Sequence, residues 1–268
     1  LPLLSPTDLK VIKARTWVRI KGSNRKISWV LVDILVVSLP FLAFAQLYTY
    51  VSGGGGFLPL LVIGIAMLPF WLNVVWDMGA QFYWEKQVGN MEIYMLSPAS
   101  KMAILFGMAL GGMFSTSLRS GIIILLAIAV YKMSIPLQLL PPILLIFLLT
   151  LTSLYTLGML FASLFLLYGR EAWQTALLVQ EPINFISGIY FPIRALPFWI
   201  QAVASLIPLT LGIDAMRWLM MGSAFGSLYL HIILLLALTL VFGFLSRKAL
   251  DFMERLGKKE GRLTLRWQ

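Results

Sequence analysis

The chain has 268 residues, of which 60% are hydrophobic and 12% charged, whereas soluble domains carry about 25% charged residues. It has no cysteine and a single histidine, His231, which excludes disulfides, thiolate chemistry and a multi-histidine metal site. The formal net charge of +10 would point to nucleic acid in a soluble protein. Here fourteen of the twenty-one basic residues lie in 1–26 and 247–268, beside long apolar runs. Cytoplasmic retention and anionic lipid account for that placement, and no nucleic-acid partner is expected.

The apolar runs reach the length of about 20 residues that crosses a bilayer. The expected fold class is all-α: a polytopic membrane protein with six transmembrane helices. An amphipathic interface helix precedes them, and a re-entrant helical pair comes before the last span. The expected division is 1–26 as interface segment, 27–250 as transmembrane domain and 251–268 as basic tail.

In chain order, Pro6-Thr7-Asp8 marks a helix start with Thr7 as the expected cap. Leu9, Ile12, Thr16, Trp17 and Ile20 share one face, with Lys10, Lys13, Arg15 and Arg19 mostly off it, as in a helix resting in the membrane interface. Span one runs from Ile27 to Val51. The basic stretch before it is long and no small-residue cleavage pattern follows, so it reads as a transmembrane helix and not as a cleaved leader. Asp33 sits near its start, and a structural pairing with Lys or Arg is the favoured reading. Ser52 to Gly56 is a flexible turn and not a phosphate loop, since the Lys-Ser/Thr ending is missing.

Span two is Phe57 to Trp76. Asp77 to Lys101 is the longest polar interruption, with Glu85, Lys86 and Glu92 expected to face water or a partner. Span three is Met102 to Tyr131. Its Gly107 and Gly111 permit close helix packing. Its Arg119 must snorkel, pair with a carboxylate such as Asp33 or Glu181, or face a polar path. Span four is Ile143 to Tyr168, and span five is Ala172 to Phe191.

Span five holds Gln180, Glu181 and Asn184 in an apolar run and is broken at Pro182. A proline there frees a carbonyl one turn earlier and makes a weak point suited to a hinge. Pro192 to Arg217 carries two short helical pieces split at Pro208. Asp214 and Arg217, three apart, are expected to pair locally. Tyr229 to Leu245 is the core of span six. Both basic ends are placed in the cytoplasm, which demands an even number of crossings.

No HExxH, GxSxG or P-loop is present, so no catalytic site of the chain's own is expected, and no metal site. The string Pro182 to Pro192, PINFISGIYFP, followed by Leu196-Pro197-Phe198-Trp199 and Ile207-Pro208-Leu209-Thr210, resembles the signature region of the six-span permease subunit of type-2 ABC exporters. Gly89, Glu92 and Leu96-Ser97-Pro98 resemble that family's segment before span three.

The resemblance implies an exporter of a drug, lipid or lipid-linked glycan in the cytoplasmic membrane, with both termini inside. It implies a separate ATP-binding cassette ATPase that holds ATP and Mg2+, no cofactor on this chain, and a second permease chain, the same or different. On that pattern Glu85, Gly89 and Glu92 couple to the ATPase. Glu181, Pro182, Asn184, Phe185, Gly188 and Arg119 lie by the path or its kink. Pro192, Pro197, Trp199 and Pro208 shape the re-entrant region. A secondary transporter with broken helices and a non-transporting membrane scaffold are the competing readings.

Overall fold

The computed structural model describes residues 5–25, 27–52, 58–132, 137–167, 170–222 and 226–261, and among these the chain is helical with no strand. The glycines of the turn at Ser52 to Gly56 and the last residues of the basic tail, 262–268, lie outside the described residues.

Helix α1 spans Pro6–Ser23. Its cap is Ser5 and not Thr7: the Ser5 hydroxyl accepts from the Asp8 N–H at 3.1 Å, and the Asp8 carboxylate accepts from the Ser5 N–H at 3.1 Å. Pro6 suits the first helical position, where its missing N–H costs nothing, and this shifts the cap one residue before it. Then follow α2 (Ile27–Ser52), α3 (Leu58–Leu72) with a π-helical continuation over Asn73–Gly79, α4 (Gln81–Gln87) and α5 (Asn90–Leu96). Next come α6 (Lys101–Tyr131), α7 (Leu140–Leu164), α8 (Arg170–Ile186), α9 (Phe198–Ala204), α10 (Pro208–Met220) and α11 (Gly226–Glu260). Helix α11 passes without a break through Leu250 and Asp251, and the Lys101–Glu254 ion pair at 2.8 Å ties its far end to the start of α6.

Five segments are long and apolar enough to cross a membrane: Val30–Val51, Leu58–Gly79, Lys101–Tyr131, Leu137–Leu164 and Leu228–Glu260. Helices α9 and α10 meet at 109° across a short break, the re-entrant geometry expected at Pro208, and would make a sixth if counted as one broken span. Helix α8, read from sequence as a span ending at Phe191, has 17 residues and stops at Ile186. Ser187 to Phe191 leave the helix, with Gly188 in the left-handed region at φ 80°.

The core is built around α3. Ile65, Phe70 and Trp71 have no exposed surface, and the π-helical Val74 is equally enclosed. A helix apolar all round belongs inside a bundle. By contrast α2 turns Leu31, Leu35, Leu39 and Leu42 outward, and α11 does the same with Ile233, Leu240 and Phe244, as suits faces toward lipid or another chain.

Helix α1 lies along the first half of α6, and the two glycines there admit it. A Cβ at Gly107 would stand 2.8 Å from the Ile12 carbonyl oxygen, and one at Gly111 would stand 2.8 Å from the Thr16 carbonyl oxygen. The Thr16 hydroxyl reaches the Gly107 carbonyl at 3.0 Å. The stripe read as facing the membrane interface divides, with Ile12 and Thr16 packed on α6. Ile12 is buried, but Trp17 and Leu9 are exposed, while Arg15 and Arg19 turn inward to carboxylates. Two ion pairs and a thin glycine face outweigh the apolar periodicity.

Gly111→Val should force α1 off α6. The overpacking loss, on the order of 1–3 kcal/mol, should appear as a lower melting temperature in detergent together with faster proteolysis at Lys10 and Lys13.

Candidate functional site

Three polar constellations stand out in this apolar chain. The first is at the end that carries α1. Glu85, expected at the surface, is buried between α1, α4 and α5. Its Oε1 accepts from Arg15 at 2.6 Å and from Gln81 at 2.9 Å. Its Oε2 accepts from Asn90 and from the Tyr94 hydroxyl, both at 2.7 Å. Four donors on two oxygens are what a buried carboxylate needs to stay charged. Burial pushes its acidity down, but the donors from Asn90, Tyr94 and Arg15 outweigh it and hold the Glu85 carboxyl below the ordinary carboxylate value. Burial and the same carboxylate push the Tyr94 phenol well up, so it remains a donor.

Gly89 caps α5 in the left-handed conformation, φ 80°, which a side chain would strain. It lets α4 and α5 fold into a hairpin. Glu85 sits inside that hairpin, while Glu92 lies on its exposed side near Val88, Ile93 and Leu96.

The second constellation borders a cleft of about 670 Å³ between α1, α2, the π-helical turn, α6 and α8. Arg119 pairs with Asp33 at 3.1 Å and donates to the Ser23 hydroxyl at 3.1 Å. Of the two carboxylates considered for Arg119, the structure selects Asp33. Arg19 pairs with Asp77 at 3.3 Å, and Asn73 donates to Asp77 at 2.6 Å. The Tyr155 hydroxyl holds the Asn73 amide oxygen at 2.8 Å. Trp76 donates to Gln180 of α8, which closes the cleft on that side.

The third constellation is at the opposite end, and its key residue is Arg217. The expected local pair with Asp214 is not formed. Arg217 is 4% exposed and donates to four backbone carbonyls: Leu60 at 2.8 Å, Gly188 at 2.5 Å, Ile189 at 3.1 Å and Phe191 at 3.2 Å. The Tyr48 hydroxyl takes the carbonyl between them, Tyr190, at 3.0 Å, and Phe44 stacks on the Tyr190 ring. Asp214 instead accepts from the Trp218 indole at 3.1 Å and stands 3.2 Å from His231 Nε2. Three residues along α10, Asp214 and Arg217 point to different neighbours. A Cβ at Gly64 would overlap the Ile189 carbonyl, so the loop after α8 presses directly on α3.

The remaining expected path residues divide between an inward and an outward side of α8 and the loop after it. Asn184 and Gly188 are packed inward, and the Asn184 amide oxygen is buried without a protein partner. Glu181, Pro182 and Phe185 face outward, and the Glu181 carboxylate accepts from Gln180 at 3.1 Å. Arg119 is held by Asp33 and Ser23 and does not pair with Glu181. Pro192 precedes a short turn, and Pro197 and Pro208 open α9 and α10. Trp199 is exposed at that same end beside Phe198.

The family described as ABC-2 family transporter protein matches residues 38–248, from inside α2 to within α11. No curated protein matches the chain.

Glu85→Gln removes the charge and sets an amide N–H₂ against donors, so it should cost about 3 kcal/mol, as breaking a buried pair does. The pH dependence gives its sign. A carboxyl depressed in the folded chain stabilises fully above the ordinary value of 4.5 and loses that contribution as pH falls through its lower folded value. Thermal melts of the native chain should weaken below that value, and those of Glu85→Gln should change less in the same window. Arg217→Met should orphan four carbonyls and cost about 3–5 kcal/mol, with Arg217→Lys recovering part of the melting temperature.

Proposed function

The chain belongs to the ABC-2 family of transporter proteins, and from that premise we propose that it is the membrane-spanning subunit of an ATP-driven exporter. It sits in the cytoplasmic membrane with both basic ends inside, and it moves a drug, lipid or lipid-linked glycan. A separate ATP-binding cassette ATPase holds ATP and Mg2+, and a second permease chain completes the path.

The observation that carries this reading is the α4–α5 hairpin. It follows the second span after one residue, Ala80, and exposes Val88 at its turn and Ile93 and Leu96 along α5, with Glu92 beside them. Apolar side chains held out at a polar turn make an anchor for a protein cleft. Glu85 gives that hairpin rigidity through Arg15 and Tyr94, so its coupling role is to support the contact from within. Gly89 supplies the turn.

The outward face of α8 supports the two-chain path. Glu181 at this depth is costly against lipid, so Glu181, Pro182 and Phe185 are assigned to a water-accessible path or to a facing permease chain. The exposed apolar face of α2 would lie against that same chain. ATP binding and hydrolysis then favour two arrangements of the assembly in turn.

The test is co-purification with any P-loop ATPase encoded beside this gene, followed by ATP turnover in lipid. The native chain should form a stable complex. Ile93→Asp should weaken it by more than about tenfold, the loss of one central anchor, with insertion into the membrane unchanged. A chain that purifies without an ATPase, or a complex indifferent to Ile93→Asp, would move the secondary-transporter or scaffold reading ahead.

A further inference from the structure

The cleft bounded by Arg19, Asp33, Asp77 and Arg119 has a polarity that counting its charges hides. Two arginines and two aspartates sum to zero, but they are not equally available. Arg119 is 13% exposed and Arg19 23%, whereas Asp33 is 45% and Asp77 47% exposed.

Both arginines bind groups of the walls. Arg119 holds Asp33 and Ser23, and its Nε is buried out of reach. Arg19 holds Asp77 and the Gln81 side chain, the latter at 3.2 Å. Asp33 meets Arg119 through one oxygen, and Asp77, though Arg19 and Asn73 take one oxygen each, keeps nearly half of its side chain exposed. The remaining lining is aliphatic or aromatic, including Val36, Val37, Leu72, Ile123 and Trp76. A volume of about 670 Å³ is that of a drug-sized site, and apolar walls with a few placed charges are how such sites select ligands.

We propose that this cleft binds a hydrophobic organic cation, its positive group set against the half-exposed carboxylates of Asp33 and Asp77 and its apolar body against the α2 and α3 walls. A further cation leaves the cleft one positive charge in excess, and the half-exposed carboxylates, more open than the arginines they pair with, are the groups placed to offset it. An anionic group would meet the exposed carboxylates first, with the arginines more buried behind them. As the class of molecule exported, the cation rests on the permease reading above; as a binding site it does not.

The experiment uses the full chain purified in neutral detergent, without any ATPase. Rhodamine 6G, a fluorescent hydrophobic cation, is titrated and followed by anisotropy. Saturable binding is expected, displaced by tetraphenylphosphonium and not by the anion anilinonaphthalene sulfonate. Asp33→Asn and Asp77→Asn should each weaken it about tenfold, the loss of one partly desolvated charge partner. Because Asp33→Asn also frees Arg119, Val36→Trp serves as a second variant: it fills the mouth, leaves all four charges in place, and should abolish binding at an unchanged melting temperature.

No saturable binding, equal displacement by the anion, or binding that survives Val36→Trp would overturn the proposal. Vesicles containing the chain with its ATPase separate the two readings. Carboxylate-dependent binding without ATP-driven accumulation would sink export and leave the site. ATP-driven transport of other compounds by a chain that does not bind the cation would sink the site alone.

Discussion

The structure depends most on how a non-helical stretch is kept inside an apolar bundle. Ser187 to Phe191 cannot bond within itself, and lipid offers no substitute donors. Arg217 and Tyr48 solve this together. The guanidinium takes Gly188, Ile189 and Phe191, and the phenol takes Tyr190. Four consecutive carbonyls therefore have side-chain donors. The same guanidinium reaches Leu60 and so fastens the loop to the first turn of α3. A buried arginine without a carboxylate is tolerated because carbonyl dipoles surround it. Once this clamp is in place, the break after α8, the short turn before α9 and the sharp bend into α10 can all sit where hydropathy alone would ask for continuous helix.

That clamp also explains what the sequence conceals. Long apolar runs, the proline break at Pro208 and the thin face at Gly107 and Gly111 were legible, because bilayer thickness and backbone approach act through composition and spacing. The SGIYFP string could be read as a signature, but not what holds it. Arg217 lies 26 residues beyond Phe191, and local spacing pointed to Asp214, three positions away. Helical neighbours at that spacing pair only if nothing better is offered, and here four buried carbonyls need donors more than the half-buried Asp214 needs a cation.

The same competition decided the other end. Periodicity along α1 set Leu9, Ile12 and Trp17 on a face toward the membrane interface and left Arg15 and Arg19 mostly off it, without showing what the arginines meet. Glu85 and Asp77, on segments far away in sequence, draw Arg15 and Arg19 inward. A carboxylate with four donors appears in the sequence as an ordinary surface glutamate, since its partners are scattered over Arg15, Gln81, Asn90 and Tyr94. Arg119 was different. A lone arginine in a long apolar run narrows its own options, and Asp33 was one of the two carboxylates within consideration. Intramembrane charges are informative because hydrocarbon allows so few arrangements, whereas charges near the interface keep many.

Helix α3 joins the two ends. Its first turn is held by Arg217 through Leu60, and its last, π-helical turn is held by Arg19 through Asp77 and by Tyr155 through Asn73. Between these points it is buried almost completely, and close-packed interiors transmit displacement instead of absorbing it. Helix α4 begins after the single residue Ala80, so a push on the hairpin has little slack before it reaches α3. Wider π-helical turns recur at functional sites in helices, and this one carries both Asn73 and Asp77 on the wall of the cleft. Movement of the hairpin would therefore strain the Arg19–Asp77 pair and reshape the cleft before it reaches the Arg217 clamp.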